Sequence, residues 1–161
     1  MPARSEKIGN GHAVTIRRMT AADISAAHSL LKESPEASIW SRESLVESVS
    51  RGEIWTAEMG GRLAGILIGQ MAADEFEILN LAVGREFRRR GVATHLVRAA
   101  LESAKAAGAR QTYLEVRASN EGGIQLYTRL GFQKSGRRTN YYQNPVEDAA
   151  LLVFHISAPH P

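Results

Sequence analysis

The chain has 161 residues, 43% hydrophobic and 23% charged, with a formal net charge of +3 and no cysteine. This composition supports a folded core of ordinary size and excludes a disordered polymer, a disulfide framework, a thiolate zinc site and a cysteine nucleophile. No run reaches the roughly 18 apolar residues of a membrane helix, and residues 1–13 lack the apolar stretch of a secretory signal, so the expected compartment is the cytoplasm.

Residues 1–12 are small, polar and Gly-containing, and a flexible tail is expected there. Residues 13–157 are expected to form a single domain. The alternation in 14–18 predicts a strand. Thr20, with Asp23 three positions on, is a helix start, and that helix runs to about Lys32 before Ser34-Pro35-Glu36 breaks it. A second helix opens at Trp40-Ser41, with Ser41 as N-cap, and ends near Arg51-Gly52. Residues 53–58 predict a strand, Met59-Gly60-Gly61 a hairpin turn, and 62–71 the returning strand with Leu63, Ile66 and Ile68. The apolar run 75–83 predicts a buried strand. A basic turn follows, then a helix over 94–107 with Gly108 as its stop. Residues 111–117 predict a strand, 121–130 a short helix ended by Gly131, and 132–138 and 149–156 the last strands. His160 and Pro161 end an exposed tail. The order β-α-α-β-β-β-α-β-α-β-β implies an α/β fold (an α+β mixed sheet). In it, strands 75–83 and 111–117 form a parallel pair joined right-handedly by the long helix, with helices on both faces.

The most informative stretch is Arg88-Arg89-Arg90-Gly91-Val92-Ala93. A strand, a basic turn and a helix start make a place to hold an anion. The first helical amides have no intrahelical partner, and the dipole adds positive potential there. Gly91 lets the backbone approach closely, and the arginines add forked donors suited to phosphate. The spacing is neither G-x-G-x-x-G nor G-x-x-x-x-G-K-[ST]. The bland alternative is a solvated basic turn. Arginines cluster over 85–90 and again at Arg137-Arg138; such clusters serve solubility or attract a polyanion. No aromatic-interleaved basic stripe points to direct nucleic-acid readout.

Glu115 stands in the middle of an apolar strand. By alternation it shares a face with Tyr113 and Arg117, while Leu114 and Val116 point the other way. Carboxylates are rare and costly at such positions. Either a functional pocket holds it, or it pairs with Arg117 or another arginine. Tyr127 fits an amphipathic core tyrosine, and Asn120 fits the N-cap of its helix. Gly131 and Phe132 fit a helix stop and a core aromatic. His12, His28, His95, His155 and His160 show no ligand spacing, His95 is expected to lie exposed or against the basic turn, and no metal is expected.

The R-x-x-G-x-A spacing after an apolar strand resembles motif A of the GCN5-related N-acetyltransferases (GNAT). The runs Tyr113-Leu114-Glu115-Val116-Arg117-Ala118-Ser119-Asn120, Ile124-Gln125-Leu126-Tyr127, Leu130-Gly131-Phe132 and Arg137-Arg138-Thr139-Asn140-Tyr141-Tyr142 resemble the RimI branch, which acetylates the N-terminal alanine of a ribosomal small-subunit protein. The resemblance spans about residues 14–156. It implies a central mixed sheet whose parallel pair splays apart. It also implies that Arg88, Arg89, Arg90, Gly91, Val92, Ala93 and Thr94 hold the pyrophosphate of acetyl-coenzyme A. Leu81, Ala82 and Val83 would contact its acetyl and pantetheine part, and Asn120 would reach the same co-substrate. Glu115 would be the general base and Tyr127 the acid, in direct attack within a ternary complex. Trp40, Tyr141 and Tyr142 would wall a peptide groove, with Tyr141-Tyr142 in the connection before the last strand, and Glu36, Glu43 and Glu47 could meet a basic peptide.

Acetyl transfer needs a neutral amine, a donor for the oxyanion and a proton for the leaving thiolate. An α-amine with pKa of about 7.7–8.0 loses its proton at pH 7 for about 1 kcal/mol, a lysine near 10.4 for about 4–5 kcal/mol. A modest base therefore suffices for an N-terminus. The implied function is acetyl transfer to a protein N-terminal α-amine, with a peptide such as that of a ribosomal protein as partner and no membrane. An acetyltransferase of a small amine, a non-catalytic coenzyme A-binding regulatory module, and an acetyltransferase working inside a larger complex are the alternatives.

Overall fold

Arg4-Ser5-Glu6-Lys7 has no apolar residue, yet it forms the first strand. The computed structural model describes residues 2–8 and 11–157; the expected tail end at His160 and Pro161 lies outside them. Strand β1 (Arg4–Lys7) pairs antiparallel with β2 (Ala13–Arg18), Arg4 opposite Ile16 and Lys7 opposite Ala13. The expected tail over 1–12 is therefore corrected for these residues. The physical reason is that backbone pairing needs no apolar side chain: β1 covers the edge of β2, and its own edge carries charge. Arg4 reaches Glu102 at 2.9 Å, and neighbouring Ile8 is buried.

The chain divides into two compact units, Met1–Gly69 with Asn80–Ser103, and Gln70–Leu79 with Ala104–Pro161. The first unit runs β1-β2-β3-β4, with β3 (Ile54–Met59) antiparallel to both β2 and β4 (Arg62–Ala72). It carries α1 (Ile24–Lys32), α2 (Arg42–Ser50) and most of α3 (Val92–Ala106). Asp23 closes the turn before α1: its carboxylate accepts from the Thr20 N–H at 2.9 Å and takes both arms of Arg17 at 2.7 and 2.9 Å. Ser41 caps α2 as expected, accepting from the Ser44 N–H at 3.1 Å. Val14, Ile16, Leu45, Ile66, Leu67 and Leu96 form its core.

The second unit holds β6 (Gln111–Arg117), α4 (Glu121–Arg129), β7 (Gln133–Tyr142) and β8 (Glu147–His155), built on Leu114, Phe132 and Leu152. Strands β4 and β5 (Glu75–Val83) run through both units, and the eight strands among the described residues follow the order β1-β2-β3-β4-β5-β6-β8-β7. The sheet is mixed. β5 and β6 are its parallel pair, in register from Glu75 opposite Gln111 to Ile78 opposite Leu114. β6 continues through Glu115, Val116 and Arg117 paired to β8. β7 runs on to Tyr142 across register shifts, so Tyr141-Tyr142 end a strand and do not lie in the connection after it.

Candidate active site

The anion turn follows directly from β5. Along its end Ala82 is buried, while Leu81 and Val83 are half-exposed. A 3-10 turn at Arg85–Phe87 leads into Arg88, Arg89 and Arg90, all exposed. Arg89 has φ 60° and Gly91 φ 81°, with Arg90 between them. Left-handed residues alternating with ordinary ones form the backbone of anion-holding concavities. The Gly91 carbonyl accepts from the His95 N–H at 3.1 Å, so the first turn of α3 begins at Gly91. Val92, Ala93 and Thr94 therefore carry the amides that a helix start leaves open. Val92 is buried, Ala93 and Thr94 half-buried.

Arg88 differs from its neighbours. Its Nε donates to the Val83 carbonyl at 3.2 Å, and its Nη2 meets Glu36 at 3.4 Å, so the side chain is held against the protein. Arg89 and Arg90 are the exposed cations of the turn. His95 lies against the turn and pairs through Nδ1 with Glu6 of β1 at 2.8 Å.

Two features beneath the turn are not visible in sequence. At Gly65 on β4 an added Cβ would lie 3.0 Å from the Ala82 carbonyl and 3.2 Å from Val92 Cγ1, so only glycine lets α3 settle this close to the strands. Asn80, within the apolar run of β5, is 7% exposed. Its Nδ2 donates to the Ser38 carbonyl at 2.8 Å, and its Oδ1 accepts from the N–H groups of Ser38 at 3.3 Å and Leu81 at 3.1 Å. Ser38 belongs to the segment between α1 and α2 that carries Trp40, itself half-buried.

The second cluster surrounds Glu115. Alternation along β6 buries Leu114 and Val116 and leaves the Glu115 side chain 12% exposed. Its ion-pair partner is Arg138, with Nε 2.8 Å from Oε1. Arg117 instead turns to Glu147 at 3.6 Å and donates to the Gln143 and Pro145 carbonyls, each at 3.3 Å. Arg138 stands opposite Ala149 of β8, which stands opposite Arg117 of β6. The small Ala149 leaves room for the Arg138 stem to cross β8 and reach Glu115. The Tyr141 hydroxyl is also hydrogen-bonded to Glu115, and this bond, before burial, pushes its phenol pKa up.

Rings and guanidiniums alternate beside the carboxylate. Arg138 lies 5.6 Å from the Tyr141 ring, Tyr141 meets Tyr142 edge-on at 5.0 Å, and Arg117 covers Tyr142 at 4.4 Å. These contacts favour rigid rings. Burial, then the charge of Glu115, pushes the Tyr142 phenol up to about 12. Glu77 of β5 is a second carboxylate in this unit, accepting from Tyr113 at 3.3 Å and Gln70 at 3.2 Å. Sequence alternation alone gave no signal for it.

Tyr127 is buried in α4, with its ring edge-on to Phe132 at 5.3 Å, and burial raises its phenol pKa. The hydroxyl is protonated at neutral pH. Asn120 caps α4, its Oδ1 accepting from the Gly123 N–H at 2.9 Å. Phe132 is a core aromatic, as expected. Among the described residues no three His, Asp or Glu side chains group as metal ligands.

A model described as the acetyltransferase (GNAT) family matches residues 21–132. The [ribosomal protein bS18]-alanine N-acetyltransferase of Escherichia coli K12 is 30% identical over 146 residues, covering 89% of this chain and 98% of that protein. A putative enzyme of the same name from Bacillus subtilis is 31% identical over 145 residues, covering 88% and 95%. The crystal structure of the Escherichia coli ribosomal-protein-S18-alanine N-acetyltransferase aligns with TM-score 0.79 and 29% identity, covering 91% of this chain and 96% of that one. Ard1 from Thermoplasma volcanium shares the fold with TM-score 0.82 at 24% identity, covering 90% and 99%.

Proposed function

The chain belongs to the acetyltransferase (GNAT) family and is an N-acetyltransferase, and from that premise we propose that it transfers an acetyl group from acetyl-coenzyme A to the N-terminal α-amine of a protein. The names of its bacterial relatives, which act on the alanine of ribosomal protein bS18, support this substrate class. The observation that carries the reading is the parallel pair β5 and β6. Its register runs only from Glu75 opposite Gln111 to Ile78 opposite Leu114, after which one strand leads into the anion turn and the other into Glu115.

In this reading residues 13–157 act as one catalytic domain. Acetyl-coenzyme A is a substrate that supplies an electrophilic thioester carbon. Its pyrophosphate suits the left-handed turn at Arg89 and Gly91, with Arg88 and Arg90 beside it and the open amides of Val92, Ala93 and Thr94. Leu81, Ala82 and Val83 offer strand backbone to the pantetheine and acetyl groups, and Asn120 contributes its side-chain amide. Trp40, Tyr141 and Tyr142 form the walls for the peptide.

Glu115 accepts a proton from the attacking amine, directly or through water. The amine nitrogen forms the new C–N bond, the C–S bond breaks, and the Tyr127 hydroxyl gives its proton to the departing thiolate. Burial holds the Tyr127 phenol in its protonated form, so the hydroxyl has a proton to give. Arg138 holds the Glu115 carboxylate in position.

A peptide panel tests the assignment. Peptides beginning with Ala, Ser or Met and carrying free α-amines should be acetylated, with one first residue preferred. N-terminally blocked, lysine-containing peptides and free small amines should not compete. Preference for a small amine over every peptide contradicts it.

A further inference from the structure

We propose that Asn80 is a positioning residue for the acceptor, holding the segment between α1 and α2 in the shape that receives the peptide. The inference deepens the function proposed above and rests on its reading of the Trp40 segment as a peptide wall.

The geometry is that of a side chain imitating a neighbouring strand. Asn80 donates to the carbonyl of Ser38 at 2.8 Å and accepts from the N–H of the same residue at 3.3 Å, while the N–H of Leu81 at 3.1 Å fixes its own oxygen. One amide thereby satisfies both backbone polar groups of Ser38. The position is 7% exposed and lies among Ile78, Leu81 and Ala82, where packing alone favours an apolar residue. A buried amide at such a place has a specific partner to hold.

What it holds is the middle of the segment. The ends are anchored otherwise, at Ser34, whose hydroxyl donates to the Leu30 carbonyl at 2.7 Å, and at Ser41, which caps α2. Between them the Ala37 N–H donates to the Ser34 carbonyl at 3.1 Å, a local turn, and Glu36 pairs with Arg88 at 3.4 Å, a half-exposed contact that water and salt weaken. Directly after Ser38 come Ile39, 81% exposed, and Trp40, half-buried. Asn80 thus fixes the backbone from which an unprotected apolar side chain and an indole project. Its neighbour Leu81 belongs to the strand end proposed to contact the acetyl group, so one residue sets the height of the acceptor segment above the acetyl-binding strand.

Asn80→Asp tests this with almost no change of shape. It keeps the oxygen that accepts from Ser38 and Leu81 and replaces the donor with an oxygen facing the Ser38 carbonyl. The peptide KM should rise about tenfold or more, the loss expected for a buried hydrogen bond, while the acetyl-coenzyme A KM stays within about twofold. Acrylamide quenching of Trp40, isolated by difference from Trp40→Phe, should increase. Lowering the pH should reverse that increase, because the introduced carboxyl regains a proton to donate to Ser38, whereas wild-type quenching stays flat. Ser38→Pro, which removes the N–H from outside the core, should give the same KM split if Asn80→Asp does not fold. An unchanged peptide KM in a folded variant, equal rises in both KM values, or unchanged Trp40 quenching overturns the inference. The quenching arm needs no turnover, so it decides the Asn80 contact even if the peptide panel fails.

Discussion

Arg138 Nε lies 2.8 Å from Glu115 Oε1, so the carboxylate set in the middle of β6 is partnered by an arginine two strands away, on β7. The contact crosses β8 at Ala149, which is fully buried and too short to block it. The ion-pair reading of Glu115 is thus seen, with Arg138 as the partner, and the base is the role proposed for the same side chain. The two roles separate in kinetics. Glu115→Gln keeps the shape and a hydrogen-bonding oxygen for Arg138 but cannot take a proton. kcat/KM should fall by roughly 10²–10⁴, with partial recovery at high pH, where the α-amine is already neutral. Arg138→Gln should cost about tenfold or less, because the arginine is 56% exposed and such pairs are weak. Near wild-type activity of Glu115→Gln at pH 7, with a lowered melting temperature, assigns Glu115 to structure alone.

Tyr127→Phe removes one oxygen and keeps the ring against Phe132. Turnover should fall while acetyl-coenzyme A still binds and stability changes by less than about 1.5 kcal/mol. Full turnover with a clear drop in melting temperature assigns the hydroxyl to the fold.

Gly91→Glu addresses the anion turn. A Cβ at Gly91 meets only His95 Cδ2, at 3.9 Å, so the steric cost is small. The φ of 81° imposes a backbone cost of about 1–2 kcal/mol on any other residue. The variant should fold, melt somewhat lower and show no calorimetric binding of acetyl-coenzyme A, since a carboxylate now faces the pyrophosphate. Unchanged affinity in a folded variant moves the pyrophosphate elsewhere.

All four tyrosines of the chain, Tyr113, Tyr127, Tyr141 and Tyr142, have phenols raised above their ordinary value, Tyr142 to about 12. A raised phenol holds its proton in the folded state where the unfolded chain has lost it. That stabilisation is complete below about pH 10 and is lost as pH rises toward and beyond 12. Phenolate absorbance of the native protein should therefore lag behind that of the unfolded chain above pH 10 and rise fully together with unfolding at higher pH. Half-ionisation of all four tyrosines near pH 10 with the fold intact contradicts this.

The order of elements from β2 to β8 was legible because apolar residues alternate or run at strand spacing in every strand but the polar β7, and because Thr20, Ser41 and Asn120 are recognisable starts. β1 was not, since Arg4-Ser5-Glu6-Lys7 carries no apolar signal and its order comes from β2 and from Glu102 and His95. Tyr141-Tyr142 read as a connection because the expected strand stops at Arg138, whereas β7 continues to Tyr142 through a register shift after Arg138 and a left-handed Asn140, φ 51°. Glu115 was identifiable as a misplaced carboxylate. Its arginine was not, because the contact depends on a register across two strand pairings. Asn80 was hidden by the apolar residues around it: one polar side chain in a buried run announces nothing until its partner, a backbone 42 residues away, is in view.

The proposed acceptor of the acetyl group is an α-amine. The most direct test is one peptide with a free N-terminal alanine and an internal lysine, incubated with enzyme and acetyl-coenzyme A and fragmented in a mass spectrometer to locate the acetyl group. A single acetyl group is expected on the alanine nitrogen, and no reaction once that nitrogen is blocked. Acetyl on the lysine, or undiminished reaction of the blocked peptide, contradicts it.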